Sequence, residues 1–117
     1  MEIRRVKYRN IKAEYNGVVY DSRKEMRRAV ALDWMAKAGV IRDLERQKRF
    51  VLQEGYINNK GEKIREICYL ADFCYYDNER GKYIVEDVKS PATRTDVYLI
   101  KKKLFEKRYP EYWFEEV

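Results

Sequence analysis

Residues 70–89 read LADFCYYDNERGKYIVEDVK. Residues 67–76 and 82–89 are rich in Val, Ile, Tyr, Phe and Cys, which suit a pleated, half-buried surface. Asp77-Asn78-Glu79-Arg80-Gly81 between them is a turn-forming cluster closed by glycine, so the two runs are expected to pair as a hairpin. Asp87 and Lys89 are two apart and share one face of the second strand. Pairing across the loop brings Asp72, on the first strand, near Asp87. Two carboxylates and an ammonium then converge on one face of a largely apolar hairpin, which is costly unless something binds there. Hard divalent cations take oxygen ligands, so Mg²⁺ or Mn²⁺ is the fitting occupant. The plain alternative is a salt-bridged hairpin in which Lys89 pairs with Asp72 and Asp87. Glu86 points to the opposite face of a regular strand and is expected at the surface or against a loop.

Working outward, Ser22 opens a helix that Gly39 ends, and Ser22-x-x-Glu25 fits a capping box. Met26, Ala29, Val30, Leu32, Trp34 and Met35 mark its broad apolar side. Arg23, Lys24, Arg27 and Arg28 cluster near its start, and Arg23, Lys24 and Arg27 are candidate phosphate contacts. Glu25 has two readings, a structural cap or a third acid serving the metal. Before this helix, Asn16-Gly17 is a turn signal followed by an extended run at 18–20, a small hairpin in prospect. After it, residues 41–54 alternate in part and read as a long first strand, with Gln47 at a solvated position or in contact with the site. Residues 55–63 form a turn-rich connection.

Beyond Lys89, the loop SPATRT leads to Thr95 or Asp96, either of which can cap a helix running to about Arg108. Val97, Ile100 and Leu104, with Phe105, fit its buried stripe. Lys101, Lys102 and Lys103 span three faces, so at least one stays in solvent, where it is solvated or contacts phosphate. Pro110 stops the helix, and residues 111–117 make a short last strand.

Composition narrows the chemistry. A chain of 117 residues is expected to form one domain, with a basic arm at about residues 1–12. The net charge of +6 favours a polyanionic partner. No run of 18 apolar residues occurs and no apolar signal segment follows the N-terminus, so a cytoplasmic protein is expected. Cys68 and Cys74 are six apart on one strand, about 20 Å at strand rise, and read as small core residues rather than a disulfide. Histidine is absent, which excludes His general bases, Cys/His zinc sites and His-metal nuclease motifs.

Asp72 followed about fifteen residues later by Asp87-x-Lys89 resembles the PD-(D/E)xK nuclease superfamily. With YDSRKEMRR at residues 20–28 and VEDVKSPATRTDVYLIKKKLF at 85–105, the chain resembles the small phage-borne DUF1064 branch from about Tyr8 onward. One departure is Ala71, where the superfamily motif has proline. The resemblance implies a restriction-endonuclease-like α/β core, a mixed sheet of about four strands flanked by helices in the order α-β-β-β-α-β. It further implies a metal-dependent endodeoxyribonuclease using Mg²⁺ or Mn²⁺, with Asp72, Asp87 and Lys89 catalytic. Relatives often carry a glutamate on the first helix, a role that falls to Glu25 here. Small phage nucleases of this superfamily include Holliday-junction resolvases, so branched DNA and a homodimer are expected. The alternatives are a nicking or replication-associated endonuclease, or a non-catalytic nucleic-acid-binding module on the same fold.

Overall fold

A computed structural model describes residues 11–117, so most of the basic arm, residues 1–10, lies outside the described residues. Its main sheet has four strands, β3 (Ile41–Gln53), β6 (Ile67–Asp77), β7 (Lys82–Asp87) and β8 (Tyr112–Glu116), in that spatial order. β3, β6 and β7 run antiparallel in succession, while β8 lies parallel to β7. A parallel pair needs a long crossover, and α2 (Asp96–Arg108) supplies it. α1 (Arg23–Lys37) precedes β3, so the helices and sheet strands follow the expected order in a mixed α/β fold. Among the described residues, no helix is long and apolar enough to cross a membrane.

Local chemistry explains these boundaries. β1 (Ala13–Tyr15) and β2 (Val18–Tyr20) pair across Asn16-Gly17, both at positive φ (53° and 80°), the conformation a two-residue hairpin turn demands. Ser22 caps α1 by accepting from the Glu25 amide. At the other end Gly39, at φ 77°, donates to the Ala36 carbonyl and Val40 donates to that of Met35, a Schellman stop. In the β6–β7 turn the Asp77 carboxylate accepts from the Glu79 and Arg80 amides. Residues 55–63 hold more than a connection. β4 (Tyr56–Ile57) pairs with β5 (Lys63–Ile64) in a small separate hairpin, with the Asn58 side chain accepting from the Lys60 and Glu62 amides.

Each helix covers its own face. Ile84 and Val85 are successive on β7 and belong to different clusters, Ile84 with Ala29 and Leu32 of α1, Val85 with Tyr98 and Phe105 of α2. The buried residues of α2 are Tyr98 and Phe105; Val97, Ile100 and Leu104 are exposed, contrary to the stripe read from sequence. An aromatic cluster with Phe50, Tyr109 and Phe114 around Phe105 sets that rotation, because the rings bury more area than the aliphatic stripe. Trp34 is likewise exposed, with the Lys37 ammonium over its ring.

The sheet turns over near its middle. Along β6, Tyr69 and Ala71 pack on the α2 side, whereas Phe73 and Tyr75 pack on the α1 side. Residues of equal parity stay on one face of a regular strand, so β6 twists through Asp72. β3 does the same at Gln47, which sits at φ 56° between Arg46 over the Tyr20 ring and Lys48 over the Phe50 ring. The flanking pairs Arg46↔Phe73 and Lys48↔Ala71 set Gln47 opposite Asp72.

Glu86 points away from Asp87, as alternation requires, but is fully buried instead of lying at the surface. Arg28 of α1 grips both its carboxylate oxygens, the Nε contact at 2.7 Å, and the Tyr75 hydroxyl donates to one of them. Removing one member of a buried ion pair leaves an uncompensated charge. Arg28→Met should therefore cost about 3–5 kcal/mol in urea unfolding, and Arg28→Met with Glu86→Leu should recover most of it.

Candidate active site

β6 and β7 are paired from Asp77↔Lys82 to Phe73↔Glu86, and there the ladder ends. The next position would set Asp72 against Asp87. Instead of a β6 carbonyl, the Val88 amide finds the Asp72 carboxylate, Oδ2 accepting at 2.7 Å. β7 meanwhile stays tied to β8: Val117 donates to the Asp87 carbonyl and Lys89 to that of Val117, both at 3.0 Å. The strands thus fork, and the two aspartates stand in the fork. The hairpin expected from residues 67–89 does bring Asp72, Asp87 and Lys89 together.

Asp87 is buried and Lys89 half-buried. The Lys89 ammonium lies 2.8 Å from Asp87 Oδ2, yet is not aligned as a hydrogen bond, so that oxygen has no hydrogen-bond donor. The same ammonium stands 4.2 Å from the centre of the Tyr98 ring. The salt-bridged reading is met only in part: Lys89 pairs with Asp87, while Asp72 bonds to backbone. Its main chain is also fixed by the Lys24 ammonium, which donates to the Lys89 carbonyl at 2.6 Å.

Glu25 contributes a third acid. It is 5% exposed, and Oε2 has no hydrogen-bond partner among the described residues. Only the Ser22 half of the capping box forms, so the Glu25 carboxylate is free of the cap. Burial raises its pKa, and Asp21 and Asp87 add to the rise, while Arg46 and Lys89 oppose it. Glu25 therefore shares the electrostatic field of the aspartates. Nothing in a run of charges on β3 marks Arg46 as the one whose charge reaches Glu25. Tyr69 and Tyr98 wall the cleft beside Asp72, Asp87, Lys89, Thr93 and Thr95, and nothing in the sequence separates them from the chain's other aromatics.

The basic candidates separate. Lys101 lines the aspartate cleft. Arg23 and Lys24 line an adjoining cleft with Val88, Lys89, Ser90 and Thr93. Arg27 and Lys103 are exposed elsewhere on their helices. Lys102 turns toward β8, 3.8 Å from Glu116. Cys74 is buried as expected, but Cys68 is only half-buried and lines the aspartate cleft.

The acids suit a hard cation by their oxygen chemistry and by the buried oxygens of Asp87 and Glu25 that lack donors. Were a cation held there, Asp72 and Asp87 would be its ligand pair, with the Val88 carbonyl and Glu25 as further oxygen donors. Among the described residues, no three Asp, Glu or Cys side chains are gathered as a finished metal cage. Glu25 is linked to the pair by charge.

Asp72 has its pKa pushed up to about 8, by burial first and then by the neighbouring Asp87 carboxyl; the Val88 amide works the other way. A carboxyl with a raised folded pKa stabilises the fold fully below its unfolded value of 3.8, and that stabilisation is lost as pH climbs through about 8. Metal-free protein should lose stability progressively between these limits. Asp72→Asn should flatten that part of a melting-temperature profile and be the more stable form at pH 8.5.

No curated protein and no solved structure matches the chain. The family model described as a protein of unknown function, DUF1064, matches residues 5–116. Matched over nearly its whole length, the chain belongs to the DUF1064 family.

Proposed function

We propose that this chain is a metal-dependent DNA endonuclease with a restriction-endonuclease-like core. The observation that carries the reading is the fork of β6 and β7, where Asp72, Asp87 and Lys89 meet in a partly buried cleft. A buried acid pair beside a lysine has little to gain as a mere ion pair, since the second carboxylate adds repulsion that Lys89 alone does not offset. A divalent cation there would polarise a phosphoryl oxygen and lower the pKa of a water. Asp72 and Asp87 hold it, with Glu25 and the Val88 carbonyl as supporting oxygens. Lys89, fixed through both its backbone amide and its carbonyl, presents its ammonium to the charge that develops on the phosphate. Lys101, Arg23 and Lys24 border the clefts and steer the backbone of the nucleic acid by charge.

Asp72→Asn and Asp87→Asn should each reduce Mg²⁺- or Mn²⁺-dependent cleavage to background while leaving DNA affinity at fixed salt within a few-fold. Cutting that persists in excess EDTA would overturn the reading in favour of a metal-independent activity. Metal-dependent cutting that is undiminished in both variants would move the chemistry elsewhere. Binding with no cleavage under any divalent cation would make the chain a non-catalytic binding module.

Glu25→Gln should lower turnover about 10- to 100-fold, as losses around a metal site do. It should leave the melting temperature nearly unchanged, because the Ser22 cap does not use the carboxylate. Wild-type turnover across a Mg²⁺ titration would remove Glu25 from the site.

For substrate, the reading is branched DNA, in the manner of a Holliday-junction resolvase. The support is a basic chain with no base-reading motif, which favours recognition by backbone shape. Cleavage of junction, flap, nicked and linear DNA at one salt concentration ranks these substrates. Equal rates on linear duplex and junction would leave a nicking or replication-associated endonuclease.

A further inference from the structure

The Lys89 ammonium has two neighbours of different kinds. Asp87 Oδ2 lies 2.8 Å away without hydrogen-bond alignment, and the face of the Tyr98 ring meets it with its centre at 4.2 Å. Tyr98 is buried and comes from the first turn of α2, not from the strand that leads to Lys89. It is fixed at both ends. Its backbone amide donates to the Thr95 hydroxyl that caps the helix, at 3.1 Å, and its phenol donates to Glu116 Oε2 at 2.7 Å. Arg94 Nε holds the other oxygen of Glu116 at 3.1 Å. Glu116 stands on β8 in register with Asp87 on β7, so the ring is tied to the strand beside the acid.

We propose that Tyr98 is a positioning residue for Lys89, its ring face holding the ammonium at the cleft while the N–H groups stay available to an oxyanion. An ammonium is strongly hydrated, and this side chain, 18% exposed, has given up most of its water. Asp87 alone could replace that water only by closing a full salt bridge, which would commit the acid and the donors together. A ring attracts the charge through its quadrupole and occupies no carboxylate lone pair. The bond to Glu116 strengthens this, because a phenol whose proton leans toward a carboxylate gains electron density in its ring. Glu116 thus acts on Lys89 by way of Tyr98. A competing pull from the ring also accounts for the short but unaligned approach to Asp87.

The hold on Lys89 does not need the nuclease reading. Its consequence for turnover rests on that reading.

The test weakens the ring face without opening a hole in the core, as Tyr98→Leu would. Phenylalanine, 3,5-difluorophenylalanine and pentafluorophenylalanine replace Tyr98 in turn, and fluorine drains the ring face at nearly constant shape. Across this series metal-free, DNA-free protein should lose about 2–10 °C of melting temperature. In a Lys89→Met background, where no cation meets the ring, the loss should vanish. With Mg²⁺ and junction DNA, kcat should fall about 3- to 30-fold over the same series while KM stays within a few-fold. Equal losses of melting temperature in both backgrounds, or none in either, would overturn the proposal. A loss that depends on Lys89 with a flat kcat would confine the contact to the fold and overturn the positioning role. A wild type that cuts nothing with any divalent cation would sink the nuclease reading alone, and the melting series then decides the hold on Lys89.

Discussion

The backbone amide of Val88 is bonded by a side chain, and the rest of the site follows from that substitution. In a continued ladder this amide would take a carbonyl from β6, and the two strands would close over one another. With the Asp72 carboxylate in the carbonyl's place, β6 is held off by the length of a side chain. The gap admits Asp87 and Lys89 without leaving the amide unsatisfied, which a buried backbone donor does not tolerate. One hydrogen bond thus opens the sheet and places the first acid.

The two faces of β7 then have different tasks. Glu86 locks α1 to the sheet through Arg28 and Tyr75, while Asp87, one residue on, faces the cleft. Glu25 lies one turn before Arg28 on the same helix, so the lock on Glu86 also sets where Glu25 is carried. The ion-pair lock and the cleft acid share the helix but not the carboxylate. The acids of the cleft are held against their own repulsion by packing elsewhere, a common condition of functional sites.

Local signals carried most of the fold. Asn16-Gly17, Ser22, Gly39, the Asp77–Gly81 cluster, Thr95 and Pro110 each act through their own backbone geometry, and each marked a boundary that the structure keeps. That Asp72 and Asp87 meet was legible because a hairpin fixes register from its turn. The rotation of α2 was not. Val97, Ile100 and Leu104 form as good a stripe as Tyr98 and Phe105, and the choice depends on aromatic partners from β3 and β8, which periodicity does not contain. Arg46 escaped, and Gln47 stayed between a solvated and a site-facing reading, for a related reason. Their meaning comes from a twist shared by two strands, and a one-strand pattern does not show it. Glu86 looked like a surface acid because its partners are 58 and 11 residues away.

The left-handed residues of β3 have an effect outside the cleft. β3 is an edge of the sheet and, at thirteen residues, the longest strand described. A long flat edge is a template on which further strands can grow into aggregates. Asp43 and Gln47, both at φ 56°, break the edge into short segments, and exposed Arg42, Asp43, Glu45, Arg46 and Arg49 set charge along it. An incoming strand would find no long run of free amides and carbonyls in register. The kinks that shape the interior of the sheet therefore also make its rim a poor seed for fibrils.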